Sequence, residues 1–145
     1  MAYILDLIRA DHDFIRSILG ELADNPDTRD IRRLTLRREL PGHLHAEETT
    51  LYARLQDVMP EEIGQSVREH GKIRDLLARL DAIPLRDAAW MLTLTELRDL
   101  IEAHFAAEED GIFSRAEHHL SRSELFELSE RFELEKQKAA EFAVI

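Results

Sequence analysis

Two stretches of this chain repeat each other in their polar residues as well as their apolar ones. Residues 11–22, DHDFIRSILGEL, align with 69–80, EHGKIRDLLARL, matching His12 with His70, Ile15 with Ile73, Arg16 with Arg74 and Leu19 with Leu77. Residues 42–54, GHLHAEETTLYAR, align with 103–115, AHFAAEEDGIFSR, matching His43 with His104, Glu47 with Glu108, Glu48 with Glu109 and Arg54 with Arg115. His12 precedes His43 by 31 residues and His70 precedes His104 by 34. A duplicated helical hairpin follows from such a repeat.

The rest of the chain agrees with helices. Leu5, Ile8, Ile15 and Leu19 form one stripe on a first helix ending near Ala23, before the turn signal Asp24-Asn25-Pro26. Asp27 or Thr28 can cap a second helix, whose apolar positions Ile31, Leu34, Leu40, Leu44, Leu51 and Leu55 run to about Val58, with a kink expected at Pro41. Pro60, Glu61 and Glu62 open a third, reaching about Ala82 through Ile63, Val67, Ile73, Leu76, Leu77 and Leu80. A fourth spans Arg86 to about His118, and Ser121 with Glu124 forms a capping box for a fifth. The expected fold is all-α, an up-down-up-down four-helix bundle over about 3–118 with an additional C-terminal helix over about 121–142. At 145 residues the chain is one domain's worth.

In a helix, positions i and i+4 lie about 40° apart on one face. His43 projects with Glu47, and His104 with Glu108. His12 and His70 sit within apolar stripes, so their imidazoles point inward. Burying four His and two Glu without partners costs on the order of a few kcal/mol per unsatisfied group. Bound cations offset that cost. Nitrogen from His and bridging oxygen from Glu suit iron, manganese or zinc, and inside a bundle two carboxylates can each span two ions.

Composition removes competing readings. With no Cys, thiolate metal sites, iron–sulfur ligation and disulfides are excluded. A net charge of -11 argues against nucleic acid and anionic membranes as partners. No apolar stretch has the length of a signal peptide or a membrane span, and a cytoplasmic location is expected. Ferritin-like di-iron bundles use Glu-x-x-His pairs, and here no Glu is followed three positions later by His.

The pattern His, HxxxE, His, HxxxE on successive helices resembles the hemerythrin superfamily, specifically its HHE cation-binding branch, over roughly residues 5–118. The resemblance implies terminal iron ligation by His12, His43, His70 and His104. It makes Glu47 and Glu108 bridging carboxylates across an oxo- or hydroxo-linked pair of non-haem irons. The chain differs from oxygen-carrying hemerythrins, having Arg74 where those have a further His and Glu109 where those have the Asp of HxxxxD, which points away from reversible oxygen carriage. Its ligand set is closer to the di-iron domain of proteins that repair iron–sulfur centres after nitrosative stress, although those have an additional Cys-containing N-terminal domain.

The implied function is a di-iron centre that binds or reacts with dioxygen, nitric oxide or peroxide, in sensing, detoxification or iron-centre repair. Iron storage or delivery, binding of another metal without turnover, and a metal-free interaction bundle are the alternatives. Among the other residues, His45 is expected at the surface, His118 and His119 at a helix C-terminus, and Glu48 and Glu109 in solvent or behind the ligands. Tyr52 and Phe113, at matching repeat positions, and Trp90 and Met91 read as packing, with the Tyr52 hydroxyl within reach of the site. The Leu125, Leu128 and Phe132 stripe is expected to pack within the chain.

Overall fold

The computed structural model describes residues 3–144, and among them there is no β-strand. The chain forms helices α1 (Ile4–Asp24), α2 (Arg29–Glu47), α3 (Ala53–Leu55), α4 (Pro60–Ala82), α5 (Ala88–Ala107), α6 (Phe113–His119) and α7 (Arg122–Val144). α2 and α3 are joined into one rod by a π-helical turn, Glu48–Tyr52, and α5 and α6 by another, Glu108–Ile112. With α1 and α4 as single rods, the expected four-rod bundle with an extra C-terminal helix is what forms. Packing of α1 on α2 and α5, and of α4 on α5 and α2, closes the ring.

The punctuation follows from local chemistry. Asn25 accepts a hydrogen bond from the Asp27 N–H at 3.2 Å, and Pro26 follows it at a position where no N–H is needed. Arg29 donates to the Leu22 and Ala23 carbonyls at 2.7 and 3.0 Å, covering the C-terminal end of α1. α2 runs through Pro41 unbroken. Asp87 caps α5 by accepting from the Ala89 N–H at 2.9 Å, which moves that helix start from the expected Arg86 to Ala88. The second rod closes at Leu55, short of Val58. The expected capping box forms, with Ser121 N–H on Glu124 at 3.2 Å and Glu124 N–H on the Ser121 hydroxyl at 3.1 Å.

Two apolar clusters fill the bundle. One gathers Ile15, Leu19, Leu40, Leu77, Trp90 and Phe105, with Met91 packed against it. The other gathers Ile8, Leu51, Tyr52, Ile63 and Phe113 with Leu125, Leu128 and Phe132 from α7. The α7 stripe therefore packs within the chain, along α1 and α2. Three positions expected in the core are exposed: Ile31 (66%), Leu34 (52%) and Val67 (42%). Ile31 and Leu34 lie in the first turns of α2, and helical spacing alone does not say which apolar residues a neighbour covers.

Candidate metal centre

Between the two apolar clusters lies a layer of polar side chains shielded from solvent. His12, His43, Glu47 and His70 are fully buried, His104 is 2% exposed and Glu108 1%. All six residues expected at the site meet here, in two overlapping groups: His12, His43, Glu47 and Glu108, and Glu47, His70, His104 and Glu108. Within each group the donor atoms lie within 4.8 Å of one another. Glu47 and Glu108 belong to both. The two HxxxE rods thus supply the shared carboxylates, and each hairpin of the repeat contributes its own two imidazoles to one group.

Every one of the four imidazoles is oriented by a carboxylate behind it. His12 Nδ1 lies 2.6 Å from Glu109, His43 Nδ1 2.9 Å from Asp11, His70 Nδ1 2.6 Å from Glu48, and His104 Nδ1 2.6 Å from Glu69. These outer groups are ionised. Burial raises the Glu48 carboxyl, but hydrogen bonds from His70 and Arg74 outweigh it and hold it at about 2. Asp11, Glu69 and Glu109 are likewise held below the usual carboxylate range, against burial, by the His each one faces and, for Glu109, by Arg16 as well. An ionised carboxylate can only accept, so each Nδ1–H donates and each Nε2 faces inward, offering a lone pair when the ring is neutral.

The interior therefore consists largely of acceptors facing acceptors. His70 Nε2 and His104 Nε2 stand 3.0 Å apart. His12 Nε2 is 3.1 Å from Glu108, and His43 Nε2 and His70 Nε2 are 3.2 and 3.3 Å from Glu47. His12 Nε2, His43 Nε2, both Glu47 oxygens and Glu108 Oε1 are buried with no hydrogen-bond partner. Burial and the charge of Glu108 push the Glu47 carboxyl well above its ordinary range. The donor set and its unpaired lone pairs fit metal ions, which neutralise the carboxylates and use every inward nitrogen. Tyr52 donates from its hydroxyl to Glu108, and burial together with the Glu47 and Glu108 charges keeps it a phenol.

Several contributors were not singled out from sequence. Asp11 and Glu69 precede His12 and His70 in the two aligned segments, so an acid recurs at that repeat position. Each acts on the His of the neighbouring rod, a pairing visible only in three dimensions. Arg74 grips Glu48 through two bonds of 2.9 and 3.0 Å, and Arg16 grips Glu109 at 3.1 and 3.2 Å, so the repeated arginines hold the repeated second glutamates. Glu48 and Glu109 thus stand behind His70 and His12. His45 is partly exposed and pairs with Glu135 of α7 at 3.0 Å. His118 and His119 lie in the last turn of α6.

Comparisons with known proteins agree with this arrangement. A DNA nickase of Nostoc sp. strain PCC 7120 is 26% identical over 138 residues, covering 93% of this chain and 39% of the nickase, so the chain spans well under half the length of that relative. The crystal structure of a hemerythrin HHE cation-binding domain-containing protein from Mycobacterium kansasii superposes with a TM-score of 0.88 at 20% identity, covering 99% of this chain and 91% of the other, and shows the same fold. The family model of the hemerythrin HHE cation binding domain matches residues 3–116. The chain belongs to the hemerythrin HHE cation-binding family, and its His/Glu layer fits a metal site.

Proposed function

We propose that His12, His43, His70 and His104 are terminal ligands and Glu47 and Glu108 bridging ligands of two non-haem iron ions, and that the centre binds or reacts with dioxygen, nitric oxide or peroxide. The observation that carries the reading is the pair of overlapping donor groups sharing two buried carboxylates, of which both Glu47 oxygens and Glu108 Oε1 have no hydrogen-bond partner. A redox-active pair held by two His per ion and two shared Glu supplies electrons and open positions for a small molecule. The chain's own residues set the geometry: four carboxylates fix the imidazole tautomers, two arginines fix two of those carboxylates, and the Tyr52 hydroxyl places a proton beside Glu108. Iron is favoured over zinc or manganese by the family resemblance.

The whole chain, 1–145, is read as one domain because α7 shares an apolar cluster with the bundle. The nickase activity named for the Nostoc protein is not extended to this chain, which corresponds to 39% of that protein and carries a net charge of -11. The test is iron content together with the optical spectrum of the anaerobically reduced protein before and after dioxygen, nitric oxide and peroxide. About two irons per chain and a new absorption band on exposure support the reading. Absence of bound iron and of any spectral change overturns it. Iron that binds, leaves rapidly to a chelator and gives no spectral response indicates storage or delivery.

A further inference from the structure

The two hairpins of the repeat build the same inner layer but are covered differently outside. Continuing the first alignment toward the N-terminus pairs Leu7 with Gln65 and Ile8 with Ser66, and the second alignment pairs Ala46 with Ala107 and Thr50 with Gly111. On the α1/α2 side this groove is filled by Leu125, Leu128 and Phe132 of α7, and Ile8, Ala46 and Thr50 are buried. On the α4/α5 side nothing among the described residues takes the place of α7. Ala107 and Gly111 are exposed, and a cleft of about 520 Å³ opens among Met59, Gln65, Ser66, Ala107, Gly111 and Ile112. Glu108, shared by both donor groups, forms part of its wall.

We infer that this uncovered groove is the passage through which a small uncharged molecule reaches the metal layer, with Ser66 and Glu108 at its inner end. The sequence differences between the repeats fit that use. Where the covered side has the bulk of Ile8 and Thr50, the open side has the short Ser66 and Gly111. Met59 and Ile112 give the cleft an apolar surface, and Ser66 lines it beside Glu108. Glu61, Glu62 and Glu69 border it together with Arg115, which donates to Glu62 at 2.8 Å, leaving the rim net acidic. An acidic rim repels anions and leaves uncharged molecules unaffected. A Cβ added at Gly111 meets nothing within 4 Å, so a side chain can start from that position without a clash at its Cβ.

This inference rests on the proposed small-molecule chemistry, and the test separates the two. In zinc-loaded protein, dissolved dioxygen should enhance relaxation of the Met59 and Ile112 methyl groups above that of Leu40 and Leu77 in the other cluster, and Gly111→Phe should abolish the excess. In iron-loaded protein, Gly111→Phe should slow the stopped-flow reaction with hydrogen peroxide by roughly tenfold with iron content unchanged. Gln137→Phe, on the α7 side, should leave that rate unaltered. Equal relaxation at all four methyls, or a Gly111→Phe rate within about twofold of the parent, overturns the passage. Should the iron protein not react with peroxide at all, the proposed function fails, and the relaxation measurement still decides whether the cleft admits dioxygen.

Discussion

The α1/α2 hairpin and the α4/α5 hairpin each bring two His and one Glu to the buried layer in the same order but support them by different means. Behind His43, Asp11 is itself gripped by Lys136 of α7 at 2.6 Å, and Phe132 of α7 stands edge-on to the His43 ring with centroids 6.2 Å apart. Behind His104, Glu69 has only Gln65 of its own helix, at 3.1 Å, and faces the open cleft. The duplicated part fixes the chemistry of the layer, and the unduplicated helix decides which side of it is sealed. A fifth helix used this way provides asymmetry without altering any of the six buried His and Glu residues.

The largest effects should treat both hairpins alike. His12→Ala and His70→Ala are each expected to lower metal content from about two ions per chain to one or fewer, measured by elemental analysis of purified protein. If either variant retained the full content, the equivalence of the two donor groups would be lost. Next comes a change confined to the covered side: Phe132→Ala should cost about 3–5 kcal/mol in denaturant unfolding, the usual range for a buried Phe. A loss below about 1 kcal/mol would mean that α7 contributes little to the bundle.

Smaller again are the carboxylates behind the imidazoles. Asp11→Asn and Glu69→Gln should each weaken metal affinity by about 10–100-fold in competition with a chelator. Asp11 should show the greater loss because it is the better shielded and also engages Lys136. The reverse order would assign no anchoring role to α7. Last, Arg54→Ala and Arg115→Ala, at matching repeat positions, remove solvent-screened pairs with Glu124 and Glu62 at 3.1 and 2.8 Å. Unfolding midpoints should stay at the parent value in both.

How much of this was legible beforehand depended on whether the determining contact was local. The gathering of the six His and Glu residues was readable because His43 with Glu47, and His104 with Glu108, are one helical turn apart, and because the repeat separated them from ordinary helix residues. The Ser121–Glu124 cap was readable for the same reason. Asp11 and Glu69 were not, since each serves a His on another rod, and an acid beside an inward His looks like any solvated helix residue. The exposed Ile31, Leu34 and Val67 show the converse error: apolar periodicity marks a face without saying which of its residues a neighbour reaches. The π turns carry no local marker beyond consecutive acids, and the open groove emerged only once α7 was seen to cover one hairpin.

The two π turns have a consequence for how such a site can be maintained. Each lies directly at or after the shared glutamate, and in the second the Phe113 N–H bonds to the Glu108 carbonyl five residues back. A turn with one residue more than the α-helical count resets the rotational phase of everything beyond it by about 100°. Upstream of that reset, phase is dictated by the imidazole and carboxylate that must face inward. Downstream, it is dictated by Leu55, or by Phe113 and Ala116, which must meet the apolar cluster shared with α7. A straight α-helix would have to satisfy both demands with a single phase, so any shift made to improve packing would turn the ligands. The π turn gives the two segments separate rotational phases, so the packed end and the end that carries the inward His and Glu each meet their own demand.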